Sequence, residues 1–563
     1  MSDGPGPSAL EQLEAAKTRR PGASPVPLIE ILSRETFRDA KSLIRYHEAL
    51  LFLRAYPPDR ETLEAADAEL LRFGDRIREL EGLGISLGPF DDPEVSGIAG
   101  TAITTDYSFD VVRWLKRRYP RHVRPHWEAF DATDRLRALW PRFLPLLEEE
   151  ALEDANVPYR EWLAAAGAKD DLAWLIRRIE GLPGPDPEKA ERYDALALEV
   201  RWELEDPRES RSGMRWPTRK TFFQDGALIG RREVSLEAEL SGEPISVRDV
   251  PPRDGARVVD LVRGATVLRY REYYGFTYAD PTHVRRADLG RGVEIFVFGL
   301  DRGRRLPLRA GFAAFIVKNG VPVGYVEALA FFERIEIGFN VYYAFREGES
   351  AWIFTRVLKV LRDFLGAASF SIDPYQIGHE NPEAIESGAF WFYRKLGFRP
   401  TSAPLRRLAE GEEKKIQAET GHRSPPRVLR RLATGNVIYD APGAREGEWD
   451  GFHIRNIGLG VQKSLARDFG GDAERMRSGC RSRVGRILGI DWRRGSPATV
   501  EALTNLSLVW SQIPDLSRWS REEKAALAGI VRGKTAPDER TYLRRMQRHP
   551  RLRDAMLKLG SGA

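Results

Sequence analysis

Phe312-Ala-Ala-Phe-Ile-Val-Lys318, Asn319-Gly320, Val321-Pro-Val-Gly-Tyr-Val-Glu-Ala-Leu-Ala-Phe331 is the stretch that decides the fold. Two strand-like runs meet at Asn-Gly, the residue pair that best accepts the positive φ angles of a tight hairpin. A third run, Ile335-Glu-Ile-Gly-Phe-Asn-Val-Tyr-Tyr-Ala-Phe345, is aromatic and β-branched and reads as another strand, with Gly338 as a candidate bulge. At Arg346-Glu-Gly-Glu-Ser-Ala351 the period changes. Apolar residues at 353, 354, 357, 358, 361, 364 and 365 predict a helix from near Ser350 to Gly366. Ser369-Phe-Ser-Ile372 then reads as a short strand. Asn381-Pro382 opens a second helix, with Ile385, Ala389, Phe392, Tyr393 and Leu396 on one face and Gly397 at its end.

The order is hairpin, strand, phosphate-sized loop, helix, strand, helix, and it includes Ala389-Phe-Trp-Phe-Tyr393-Arg-Lys395-Leu-Gly397-Phe398. Order and motif resemble the GNAT N-acetyltransferase superfamily over about residues 290 to 400, the late helix being similar to that family's A-x-x-x-Y-x-K-x-G-F pattern. The resemblance implies a central strand that splays from its neighbour, and a following loop and helix N-terminus that bind the pyrophosphate of acetyl-CoA or another acyl-CoA. It places strand backbone groups at Phe339, Val341 and Tyr343 against the cofactor, with Arg346, Gly348, Ser350 and Ala351 in the loop and Asn381 near the second helix. Tyr393 falls at the family's general acid. The loop departs from the family's spacing, and Glu347 and Glu349 sit where helix amides, each favouring an anion by roughly 0.3 to 1 kcal/mol, would meet phosphate.

Acyl transfer to an amine needs a base for the amine, a donor for the thioester carbonyl and an acid for the leaving thiolate. Strand alternation puts Glu336, Gly338 and Asn340 on one face, making Glu336 the preferred candidate base ahead of Glu333 and Glu327. A solvated strand carboxylate fits Glu336 as well, and a core aromatic fits Tyr393 as well. The link from Leu300 to Gly311 is too short for an acceptor wall, which would then come from Tyr270, Tyr273, Tyr274 and Tyr278.

With 563 residues the chain exceeds one core. The expected class is multidomain α+β, a mixed-sheet GNAT-like core flanked by N-terminal and C-terminal all-α domains. Residues 1–26 read as a disordered tail, 27–207 as an all-α domain, 208–264 as a short β arm, 265–408 as the acyltransferase domain and 409–563 as a basic helical domain. Gly97-Ile-Ala-Gly-Thr-Ala102 reads as a connector, lacking the preceding strand of a nucleotide fingerprint. His122 and His126 have metal-ligand spacing but Pro125 between them, so no metal is expected. A single Cys480 excludes an internal disulfide. No apolar run suits a membrane and no signal core opens the chain, so a cytoplasmic location is expected.

Residues 401–563 hold 31 Lys/Arg against 19 Asp/Glu in a chain whose net charge is +5. Solvated helix faces give such a balance, and so does a face for RNA or another acidic partner, for which Arg475 to Arg486 and Arg540 to Arg553 are the candidates. The leading functional reading is a CoA-dependent N-acyltransferase acting on an amine-bearing small molecule or protein. The alternatives are an aminoacyl-tRNA-dependent transferase of the same superfold and a non-catalytic scaffold.

Overall fold

The computed structural model describes residues 8–17 and 24–562. The expectation of a disordered tail falls partly outside these residues. Within them, Ala9–Ala16 is a helix closed by a reciprocal capping box between Ser8 and Glu11. The chain packs as two units, one of residues 1–227, 260–277 and 319–322, the other of residues 228–259, 278–318 and 323–563.

The first unit is built on helices such as Ala40–Ala55 and Arg60–Leu71, whose first turns are capped by the Asp39 and Asp59 carboxylates. It is not all-α. Strands β1 (Ala102–Thr105), β2 (Val123–Pro125) and β3 (Val200–Glu203) form an antiparallel sheet in the order β1-β3-β2. Segments this short show no alternation that a sequence reading could detect. The Gly97–Ala102 loop is the connector it was expected to be. A Cβ on Gly97 would stand 2.7 Å from the Leu268 Cβ, and one on Gly100 would stand 2.9 Å from the Gly74 Cα, both at positive φ.

The second unit holds a nine-stranded mixed sheet. Its strands are β4 (Val247–Asp249), β5 (Ala279–Gly290), β6 (Val293–Leu300), β7 (Ala310–Lys318), β8 (Val321–Phe331), β9 (Arg334–Val341), β10 (Ser369–Ile372), β11 (Arg399–Pro400) and β12 (Val437–Asp440). Their spatial order is β11-β12-β10-β9-β8-β7-β6-β5-β4. Asn319 and Gly320 join β7 to β8 at φ 49° and 79°, as the hairpin reading requires. From β9 the chain crosses through the Ser350–Leu365 helix, which ends at left-handed Gly366, and returns as β10 parallel to β9. Every residue of β7 is buried, so the sheet is covered on both faces there.

Several expectations are corrected here. The 208–264 segment holds a single strand, β4, and its Arg232–Leu240 run forms a turn and the Leu236–Ser241 helix. Leu236 and Leu240 are both buried, and a spacing of four satisfies helical and strand periods alike. Strand β9 stops at Val341, because Tyr343–Phe345 turn into a 3-10 helix. The late helix is broken at Gly388 (φ 66°) into Pro382–Glu386 and Ala389–Arg394.

The C-terminal helices belong to the same unit as the sheet. Gln547 in the Arg540–Gln547 helix donates to the carbonyls of Phe332 and Leu365 at 3.0 and 2.8 Å, holding the β8–β9 turn and the end of the crossover helix together. Lys534 reaches Glu539 at 2.6 Å and the Arg309 carbonyl at 3.0 Å, while Glu539 accepts from the Gly311 N–H at the start of β7. Arg553 pairs with both Glu333 and Glu448. Such charge-assisted bonds contribute about 1.5–3 kcal/mol each when desolvated. Among the described residues no helix is long and apolar enough to cross a membrane.

In the first unit one fully buried cluster couples fold to pH. His47 Nε2 lies 2.8 Å from Ser212 Oγ, its Nδ1 lies 3.1 Å from Glu48, and Glu48 pairs with Arg211 at 2.5 Å. Serine, histidine and carboxylate stand in the order of a hydrolytic relay, but all three are sealed, and Ser212 Oγ accepts the Ala99 N–H at 3.0 Å. Burial pushes His47 down to about 4 from the ordinary 6.5. Between those values the unfolded chain binds a proton that the folded chain refuses, so stability is complete above pH 6.5 and falls as pH drops towards 4. His47→Gln should flatten the loss of stability between pH 7 and 4.5 by about 2–3 kcal/mol in denaturant titrations. An unchanged pH slope would contradict this assignment.

Candidate functional site

The site is built on the place where β9 and β10 part. They pair from Arg334↔Ser369 to Ile337↔Ile372, after which β9 continues to Val341 against β8 alone. Strand β10 stops for a local reason: Pro374 has no N–H to offer a ladder, and the Asp373 carboxylate takes the Tyr375 N–H at 2.8 Å, turning the chain into the Pro374–Ile377 turn. The Tyr342 N–H donates to the Val323 carbonyl at 2.9 Å, which fixes the phase of the antiparallel ladder. Even-numbered residues of β9 therefore bond to β8, and Phe339 and Val341 turn their backbone groups to the edge that β10 has left. Two of the three expected backbone positions thus lie on an edge that has no strand partner, and both residues are buried. Tyr343 does not, since it belongs to the turn and is 53% exposed.

Beyond β9 the loop is arranged differently from the expectation of free phosphate ligands. Arg346 lies over the Tyr343 ring, pairs with Glu383 at 2.5 Å and reaches the Val341 carbonyl with Nε at 3.4 Å, so it spans the mouth of the gap. The Gly348 N–H is used inside the turn, donating to the Phe345 carbonyl at 2.9 Å. Ser350 donates through its hydroxyl to the Arg346 carbonyl, and the first helical bond runs from the Ile353 N–H to the Glu349 carbonyl. The amides of Ser350, Ala351 and Trp352 thereby form a first turn without a side-chain cap. Asn381 caps the Pro382–Glu386 helix through the Ala384 N–H and donates to the Tyr375 carbonyl, so both ends of its amide serve the fold.

Glu349, read from sequence as a charge that would repel phosphate, is fully buried and turned inward. It accepts the Ile229 N–H at 3.1 Å and pairs with Arg291 at 2.6 Å and Lys318 at 3.5 Å. Lys318 also donates to the Arg291 carbonyl, and burial lowers its ammonium to about 8 against the opposing pull of Glu349. This buried cluster of one carboxylate and two cations fixes the end of β7, the β5–β6 turn and the start of the crossover helix.

Comparison with family models, with curated proteins and with solved structures returns no match. What the residues can do is therefore read from their geometry alone. Glu336 is held by Arg309 at 3.2 Å and Arg334 at 3.4 Å. Glu333 is clasped by Arg553 and the Trp449 indole N–H. Glu327 lies across from Gly338. The carboxylate that sequence reasoning missed is Asp373, at the parting point itself. Burial raises its pKa, the Tyr375 N–H opposes the rise, and nearby Glu336 adds to it. The Asp-Pro pair after an apolar strand was the available signal.

Tyr393 is buried with its ring against Phe354, Phe392 and Phe398, and Phe354 in turn meets Phe339 at 4.8 Å. Burial alone acts on its hydroxyl and pushes it well above the ordinary phenol value, so the proton is retained. The tyrosines expected to form an acceptor wall are divided between the two units. Tyr270 lines a cavity of about 450 Å³ in the first unit with Asp91 and Arg201, whereas Tyr278 belongs to the second unit beneath Arg304. His126 pairs with Glu199 at 2.9 Å in the first unit, beside strand β2.

The buried cluster at Glu349 yields a direct test. Glu349→Gln leaves Lys318 and Arg291 without their shared anion and should lower stability by about 3–5 kcal/mol in denaturant titrations. A change below about 1 kcal/mol would show that the cluster does not hold the loop.

Proposed function

We propose that the second unit is an N-acyltransferase that moves an acyl group from an acyl-CoA to an amine. The observation that carries this reading is the open edge of β9 at Phe339 and Val341, created where β10 turns away at Asp373-Pro374. The fit extends to the uncapped amides of Ser350, Ala351 and Trp352, and to Arg346, whose exposed pair with Glu383 is weak enough to be exchanged for a phosphate. The acyl-CoA, when bound, supplies the activated thioester.

Each residue then has a defined task. Asp373 accepts the proton of the attacking amine, as a carboxylate whose pKa burial raises above its ordinary value. Backbone N–H groups on the free edge of β9 donate to the carbonyl oxygen as the C–N bond forms. Tyr393 gives its proton to the sulfur as the C–S bond breaks. Glu336, paired with Arg309 and Arg334, positions the strand.

A second reading, transfer of an aminoacyl group from tRNA, draws support from the Ala473–Leu488 helix. Arg475, Arg483 and Arg486 are exposed on one helical face there and, among the described residues, form no ion pair. The other basic candidate, Arg540 to Arg553, is largely occupied within the fold: Arg544 donates to the Phe364 carbonyl, Arg551 pairs with Asp515 and Glu523, and Arg553 pairs with Glu333.

Calorimetric titration with acetyl-CoA should give a saturable affinity in the micromolar range. Tyr393→Phe should keep that affinity within about twofold while slowing thiol release in the presence of a simple primary amine by about 10²-fold or more. Absence of acetyl-CoA binding, together with salt-sensitive tRNA binding lost in an Arg475/Arg483/Arg486 triple alanine variant, would replace the first reading by the second.

A further inference from the structure

The cavity of about 450 Å³ in the first unit takes no part in acyl transfer, and one of its walls is a sheet edge that no strand covers. Strand β1 pairs with β3 alone. The Leu204 N–H donates to the Thr101 carbonyl at 3.0 Å, which sets the phase of that ladder. Thr101, Ile103 and Thr105 therefore bond towards β3, and Ala102 and Thr104 turn their N–H and C=O groups outward. The Glu203 N–H, which donates to the His122 carbonyl at 2.9 Å on the far side of β3, agrees with that phase. Ala102 and Thr104 both line the cavity and are half-buried. Facing them are Leu87, Pro93 and the Gly88–Asp91 turn, which buried Phe90 anchors.

Tyr270 is an independent observation at the same place. It stands at φ 56°, with its N–H donating to the Val267 carbonyl at 3.0 Å, in the left-handed position after the Pro252–Val267 helix that glycine usually fills. A tyrosine held there against its preference sends its side chain into the cavity, where the hydroxyl reaches Asp91 Oδ1 at 3.5 Å and takes the Thr104 N–H. The phenol thus closes one end of the edge. The Ala102 N–H and C=O and the Thr104 C=O remain, with no hydrogen-bond partner among the described residues. Arg201, opposite Thr104 in the ladder, uses only Nε, on Glu203 at 2.7 Å, and its two terminal nitrogens make no hydrogen bond among the described residues.

The charges narrow the choice of occupant. Asp91 and Arg201 bring opposite signs to one cavity, so neither a phosphate nor a polyamine gains from both. An amide does, with its N–H towards Asp91 and its C=O towards Arg201. The β1 edge repeats that demand for one donor and one acceptor at strand spacing. We propose that an extended segment of another polypeptide chain, about three residues long, enters this cavity and adds to β1 as an outer strand. Its main chain bonds to Ala102 and to the Thr104 carbonyl, whose residues lie about 7 Å apart at a rise of roughly 3.4 Å per residue, and a small apolar side chain rests on Leu87 and Pro93. Strand addition of this kind draws its affinity from the main chain and its selectivity from alternate side chains.

Calorimetric titration of the full chain with acetyl-Ala-Val-Ala-amide, and with the same peptide methylated on all three residue nitrogens, tests this directly. The first should bind saturably, and the methylated peptide at least tenfold more weakly. Ala102→Pro removes the outward N–H alone, at an edge where the bonds to β3 do not use it, and should weaken binding severalfold at an unchanged melting temperature. Arg201→Gln should do the same, and it decides the matter if the proline variant melts earlier. The proposal is overturned if the unmethylated peptide does not bind, if the methylated peptide binds equally well, or if Arg201→Gln and Ala102→Pro both leave binding unchanged.

Discussion

The second unit depends on a tight turn of the chain: the Asp373 carboxylate accepting the Tyr375 N–H, next to a proline that has no N–H of its own. Had β10 continued past Ile372, the ladder with β9 would have been completed and the backbone groups of Phe339 and Val341 consumed by it. Because it turns, one edge of a central strand is left without a strand partner in the interior of a sheet. Polar backbone in such a place needs a partner, from water or from a ligand, and this requirement is the physical root of the acyl-transfer reading.

Everything around the gap is braced. The crossover helix is fixed at its start by Glu349, which brings Lys318 and Arg291 to one buried anion, and at its end by Gln547 and Arg544 bonding to its last carbonyls. The C-terminal helices hold the opposite end of β9 through Arg553 and Glu333. Much of the C-terminal basic excess therefore has a mechanical task, and the Arg540–Arg553 cluster is not a free anion-binding face. Among the described residues, Arg475, Arg483 and Arg486 are exposed and form no ion pair.

How much of this was legible in the sequence follows from what kind of signal each feature sends. Local signals survived: the Asn319-Gly320 hairpin, the helix from Ser350 to Gly366, the cap and proline at Asn381-Pro382. Features set by distant partners did not. Nothing in Glu347-Gly348-Glu349 reveals that Glu349 turns inward, because Lys318 and Arg291 lie far away in the chain. Strand β12, only four residues long, gives no pattern before β10 and β11 flank it. Strand alternation alone selected Glu336 and could not show Arg309 and Arg334 beside it, while Asp373 drew no reading because its place at the end of β10 depends on where that strand parts from β9.

The claim that the β9 edge forms the thioester slot is tested most directly by hydrogen–deuterium exchange across Gly338–Tyr343, with and without acetyl-CoA. The account predicts that amides on the β10 side, Phe339 and Val341, exchange readily in the free protein and become protected when acetyl-CoA is added, while those bonded to β8 are protected throughout. Full protection of Phe339 and Val341 without ligand, unchanged by acetyl-CoA, would contradict it.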